Sequence, residues 1–189
     1  MRILSLVQRL DCLALASLIS VACLTLALGG SEAQAHGWDL QGTVGAAVPF
    51  GNLSDTHDPG VGLGLGLTRW ANKWVGFHLG LAVDMLGAKN TEGPDLTLVH
   101  YNAGIEGDLI NPSTSNLRLH ANLGLGATTT SAQDVDSATD FTINFGPNLE
   151  YKFNESWNGL VGTQLYVILA NDTEVVLPVY VGFRYAFSE

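Results

Sequence analysis

Between Trp38 and Phe187, apolar residues recur at every second position, segment after segment, in runs of about ten residues, with no sustained 3.6-residue repeat. Runs of that length are long for a soluble strand and match a tilted strand crossing a bilayer. The first, Trp38 to Phe50, sets Trp38, Leu40, Val44, Ala46 and Val48 on one face and Asp39, Gln41 and Thr43 on the other. From the second onward the apolar face falls on odd numbers, from Val61 to Leu67, Val75 to Met85, Val99 to Leu109, Leu117 to Leu125, Phe141 to Phe153, Trp157 to Leu169 and Val175 to Phe187. Eight strands are predicted. Their connections alternate: Ala71 to Lys73, Asn111 to Asn116 and Asn154 to Ser156 are short. Gly51 to Gly60, Gly87 to Asp95 and Thr130 to Asp140 are longer, with Ala170 to Glu174 a brief exception. Short turns on one side and longer loops on the other predict an all-β, eight-stranded antiparallel up-and-down transmembrane barrel with its short turns in the periplasm.

Alternation alone also describes a soluble barrel with an apolar interior. The composition of the other face separates the two, because a water-facing exterior is rich in Lys, Glu and Thr. Here that face is largely glycine (Gly62, Gly64, Gly66, Gly76, Gly80, Gly104, Gly124), interrupted by His, Asn, Gln and a few charges. Small residues suit a crowded lumen, since an eight-stranded interior is filled by its own side chains. Trp38, Trp70, Trp74 and Trp157 all fall at predicted periplasmic strand ends, beside Tyr151, Phe153, Tyr185 and Phe187, and read as one interfacial girdle. Phe50, Met85, Tyr101 and Phe141 mark the other.

The last strand, Tyr180-Val181-Gly182-Phe183-Arg184-Tyr185-Ala186-Phe187, resembles the carboxy-terminal assembly signal of outer-membrane barrels, with Ser188 and Glu189 extending past the usual terminal aromatic. With the opening Gly42…Ala47-Val48-Pro49-Phe50-Gly51, the region from His36 to Glu189 is similar to the small OmpA-like and OmpX-like outer-membrane barrels. The resemblance implies residence in the outer membrane, contact with its lipids and lipopolysaccharide, and insertion by barrel-assembly machinery that reads Tyr180, Gly182, Phe183, Tyr185 and Phe187. It implies no single activity, because this architecture hosts structural proteins, adhesins, small channels and lipid-modifying enzymes.

The N-terminus reads as a secretory signal peptide over residues 1–35, leaving the barrel domain as 36–189. Arg2 and Arg9 precede an uncharged apolar run from Cys12 to Leu28, and Ala33-Gln34-Ala35 supplies the cleavage site. A membrane anchor and a lipoprotein site at Cys23 are the competing readings of that segment. Both cysteines lie within it, so the barrel has no thiolate chemistry. His36 would become the N-terminal residue, as in copper polysaccharide monooxygenases, but the chain carries nothing else of that family. Over all 189 residues, 18 acidic side chains oppose 8 basic ones for a net charge of −10, which excludes a nucleic-acid surface.

Even numbering places the ionisable strand residues in the lumen. With the Gly87 to Asp95 hairpin centred on Glu92, Asp84 meets His100 and His78 meets Glu106. A turn near Pro112 and Ser113 brings Arg118 or His120 beside Asp108 and Glu106, and Glu150 and Arg184 join the same inward set. The plain reading is a network that leaves no buried polar group unpartnered. Two sharper readings use the same residues. His78, Glu106 and His120 are suitable metal ligands. Asp84, His100 and Ser131 or Thr129 could form a hydrolytic triad as in lipid A deacylase barrels, although His100 points away from the membrane that holds an acyl substrate.

The outer connections carry Asp55, Asp58, Glu92, Asp95, Asp134, Asp136, Asp140, Asp172 and Glu174 against Lys89 alone. Such a rim is a solvated acidic surface, or it captures divalent cations that bridge to lipopolysaccharide, with Asp134, Asp136 and Asp140 the best-clustered ligands. The sequence therefore predicts a structural or surface-interaction barrel without catalysis or cofactor. A narrow solute channel is the rival and a lipid-modifying enzyme the third reading.

Overall fold

The computed structural model describes residues 37–90, 93–110, 116–133 and 135–187. The predicted signal peptide, His36, Glu92, Asp134, Ser188 and Glu189 lie outside them. Strands β1 (Trp38–Phe50), β2 (His57–Trp70), β3 (Val75–Ala88), β4 (Leu96–Asp108), β5 (Leu117–Ala132) and β6 (Val135–Lys152) pair in sequence, each antiparallel to the next. β7 (Trp157–Thr163) and β8 (Leu165–Leu169) both lie between β6 and β9 (Thr173–Ala186), and β9 pairs with β1 to close the ring.

β7 and β8 are one strand of the barrel, so the ring has the eight predicted strands. Gly162 faces Asn148 and Leu165 faces Phe145, so the register on β6 continues across the gap without a shift. The interruption is at Gln164, whose amide donates to the Pro178 carbonyl at 3.1 Å. Pro178 has no N–H to return, and the ladder loses one bond there.

Closure leaves no sheet edge facing hydrocarbon, the condition for a strand-built protein to cross a bilayer. Many of the predicted outward residues are exposed, among them Leu40, Val44, Leu65, Leu81, Tyr101, Leu123, Phe145 and Val181, while the small Ala103 is buried. Trp157, Tyr185 and Phe187 join edge to face at one end, with ring centroids 5.0 Å apart in each pair. Trp70 departs from the expected girdle. Its even number on β2 turns it into the lumen, where it is buried.

Two connections differ from the expectation. Residues Asn52–Thr56 form a helical turn, α1, entered through Gly51 at φ 64°, and β2 begins at His57. Most of the segment taken as a loop after Thr130 is strand, because β5 runs to Ala132 and β6 starts at Val135. Threonine is polar but β-branched and suits a pleated surface. Thr129 and Thr139 face each other across this hairpin with their hydroxyls 2.9 Å apart.

The β3–β4 register is also offset from the sequence estimate. Asp84 faces Leu98 and His100 faces Ala82, which centres the hairpin on position 91 and shifts the pairing by two residues. A shift of two keeps every side chain on its own face.

Candidate functional site

The lumen is filled in layers, and its periplasmic end is ionic. Arg184 on β9 is 1% exposed and sits at the centre. Its Nη2 donates to Glu106 Oε1 at 2.5 Å and to Gln41 Oε1 at 2.7 Å, while Nη1 lies 3.4 Å from Glu150 Oε2 and 3.8 Å from Asp39 Oδ2. One guanidinium thereby ties the last strand to β1, β4 and β6. Arg118 donates to Asp108 Oδ2 at 2.7 Å and stacks over Trp70, whose indole N–H donates to Asp39 at 2.6 Å. His120 places Nε2 3.1 Å from Glu150 and Nδ1 2.5 Å from Asp108 Oδ1, the second contact lacking hydrogen-bond geometry. Thr68 donates to Glu106 Oε2 at 2.9 Å and lies 3.0 Å from His78 Nδ1.

Asp39, Glu106, Asp108 and Glu150 thus surround two guanidiniums, and each carboxylate has at least one cationic or N–H partner. Removing either arginine would strand charge in a low dielectric, where an unpaired carboxylate is costly. Glycines on the same wall make the room. A Cβ on Gly182 would collide with the Gly42 carbonyl, and one on Gly66 would meet His78 and Gln41.

Above this plug lies a layer of neutral polar groups. Asn122 donates to Gln164, Gln164 to Asn144 at 2.6 Å, and Tyr180 to Asn148 at 2.5 Å. A cavity of about 50 Å³ remains, lined by Gln41, Thr43, His78, Asn102, Tyr166 and Tyr180. That is room for a few waters.

The next layer is Asp84, His100, Thr128 and Thr142. His100 Nε2 is 3.1 Å from Asp84, its Nδ1 is 2.7 Å from the Thr128 hydroxyl, and Thr128 is 2.7 Å from Thr142. The His100 ring stacks on Tyr166 at 4.0 Å. Asp84 and His100 meet diagonally across the shifted register, and His78 and Glu106 likewise approach only to 4.0 Å. The hydroxyl at His100 is therefore Thr128 and not Ser131 or Thr129, and it is fully buried.

The outer mouth is closed by an apolar plug. Ala47, Leu86, Leu96, Leu98, Ile168 and Val176 point inward and pack together, with Leu53 of α1 set over them. Lys89 fastens α1 from the side, its amide donating to the Thr56 carbonyl at 3.0 Å and its ammonium to the Ser54 carbonyl. The strand residues of this plug share the inward parity of the charged set but are apolar. In the ionic plug, Asp39, Gln41 and Thr68 also follow their inward parity, and Trp70 follows it against the girdle expectation.

Among the described residues no group of three His, Cys, Asp or Glu side chains could hold a metal ion. The Glu106 oxygen that lies 3.7 Å from His120 Nδ1 already accepts from Arg184 Nη2. At the outer rim, Asp136 and Asp140 are four residues apart on one extended strand, about 14 Å at ~3.4 Å per residue, and cannot share an ion with ligand distances near 2.4 Å. Asp140 is instead one of the charged groups near Glu174 at the mouth, with His57 and Asp172 the others.

The closed ring, the apolar exterior and the filled lumen define a small integral barrel of the outer membrane. The chain belongs to the outer membrane protein beta-barrel domain family, whose model matches residues 13–187. It is similar in structure to Neisserial surface protein A, with a TM-score of 0.68 at 14% identity, covering 82% of this chain and 100% of that one. It is also similar to OprG from Pseudomonas aeruginosa, with a TM-score of 0.56 at 17% identity and coverage of 82% and 98%. Ail, the attachment invasion locus protein of Yersinia pestis, matches with a TM-score of 0.52 at 15% identity and coverage of 80% and 99%. No curated protein sequence matches the chain.

Proposed function

We propose that this barrel is a structural, surface-interacting component of the outer membrane whose acidic rim contacts lipopolysaccharide through bridging divalent cations, and that it neither conducts solutes nor catalyses a reaction. The observation that carries this reading is the lumen, closed by an ionic plug at one end and an apolar plug at the other. Asp58, Asp95, Asp136, Asp140, Asp172 and Glu174 ring the outer end, giving hard cations carboxylate oxygens without a preformed cage. The Asp84–His100–Thr128 chain has the order of an acid, a base and a nucleophile. Its hydroxyl faces Thr142 beneath the apolar plug, out of reach of an acyl chain in the membrane. Insertion by the barrel-assembly machinery rests on the last strand, where Phe183, Tyr185 and Phe187 share the outer face.

The test is lipopolysaccharide retention. Wild-type protein purified from outer membranes in Mg²⁺ should carry more lipopolysaccharide than the Asp140→Asn/Asp172→Asn/Glu174→Gln variant, and EDTA should erase the difference. Equal retention in Mg²⁺ would overturn the bridging role.

A further inference from the structure

On the membrane-facing wall, β1 carries a glycine where its neighbours carry large side chains. Gly42 faces Leu65 on β2 and Phe183 on β9. Adjacent strands lie ~4.8 Å apart, so those two outward side chains flank Gly42 as ridges about 10 Å apart. Leu65 is 60% exposed and Phe183 59% exposed, so neither folds over to fill the gap. The result is an open apolar groove of about 570 Å³ that also takes in Val44, Leu81 and Val181. A Cβ on Gly42 would meet nothing nearer than Leu65 at 4.0 Å, so no packing need inside the protein requires the glycine.

A second feature lies on the same two strands. Four residues toward the periplasm from Leu65 is Arg69, and four from Gly42 is Trp38; the two face each other, with the guanidinium 5.4 Å from the indole centroid. Arg69 stands on the outward face at the level of the periplasmic aromatic girdle, and among the described residues no carboxylate lies within ion-pair distance of it. At ~3.4 Å per residue the guanidinium is about 14 Å from the groove along the strand. The groove begins at Gly42 and Leu65, beyond the outward pair Leu40 and Leu67, so a cation above an aromatic ring at the interface and an apolar groove deeper in the membrane are spaced as a phosphate headgroup and the far part of its acyl chain.

We propose that Gly42 and Arg69 form a binding site for one glycerophospholipid of the periplasmic leaflet, its acyl chain lying over Gly42 between Leu65 and Phe183 and its phosphate on Arg69. The position of Arg69 at the periplasmic end assigns the lipid to that leaflet and away from lipopolysaccharide. A second copy of the chain is the alternative occupant, but it would bring Arg69 toward its own like charge.

The experiment is native mass spectrometry of the barrel released from nanodiscs of phosphatidylethanolamine and phosphatidylglycerol. Wild type should retain one phospholipid at collision energies that strip the rest. Gly42→Leu, which fills the groove, and Arg69→Gln, which removes the cation, should each lower that retained fraction at least fivefold. Leu123→Ala on the far wall should leave it unchanged, and heat-modifiable migration establishes that all three variants are folded. Retention equal in wild type, Gly42→Leu and Arg69→Gln would mean ordinary annular lipid only and overturn the proposal. So would a wild-type dimer that Gly42→Leu dissociates.

Discussion

Arg184 is the residue on which the periplasmic half of the lumen depends. It is the partner that Glu106, Glu150 and Asp39 share, and it reaches them from the strand that closes the ring. Replacing it with methionine keeps much of the volume and leaves three carboxylates around an apolar side chain. Breaking a buried ion pair from one side costs about 3 to 5 kcal/mol, so Arg184→Met should lose that much in urea unfolding measured in phospholipid vesicles. Adding Glu106→Gln should recover part of the loss, because the stranded charge goes with it. A loss below about 1 kcal/mol would mean that water or protonation replaces the guanidinium at little cost. Glu106→Gln alone should also destabilise, by about 1 to 3 kcal/mol, since a charge-assisted bond at a buried site becomes a neutral one.

At the scale of the strand, facing is the controlling variable. Leu123 on β5 is exposed on the outer wall between Ile105 and Phe145. Leu123→Arg should cost about 2 to 4 kcal/mol, the range for a cation near the bilayer midplane. Equal stability of variant and wild type in the same urea titration would contradict the facing. On β9, Tyr185 packs against both Trp157 and Phe187 at the interface. Phe187→Ala should lower the yield of heat-modifiable protein in outer membranes more than deletion of Ser188 and Glu189 does. Equal yields would reduce Phe187 to a girdle residue.

Parity made the strands, their facing and the inward charged set legible, because a period of two depends only on local geometry. Other features depend on what parity does not carry. The β3–β4 offset came from the turn, whose centre decides register, and Asp84 still reached His100 because imidazole and carboxylate span a diagonal. Trp70 was assigned by its place at a strand end, although its even number pointed inward. Leu86, Leu98 and Ile168 lie on the polar parity too, yet near the mouth that face is apolar. Alternation distinguishes two faces and does not say that the inner one is wet along its whole length.

For the whole molecule, the opposed plugs and the segregated charge describe a barrel that presents surfaces outward and keeps its interior shut. The outer seal is built from inward strand side chains such as Leu86, Leu98 and Ile168, with Leu53 as the contribution of α1. Single-channel recording in planar bilayers tests the closed interior most directly. Wild type should give no stable conductance steps over the voltage range in which the bilayer itself is quiet. Leu98→Ala and Ile168→Ala combined with Arg184→Ala, which takes bulk out of both plugs, should give discrete openings. Regular ion-conducting steps from the wild-type barrel would contradict the account, because the layers of Arg184, His100 and Ile168 could not then be filled as described.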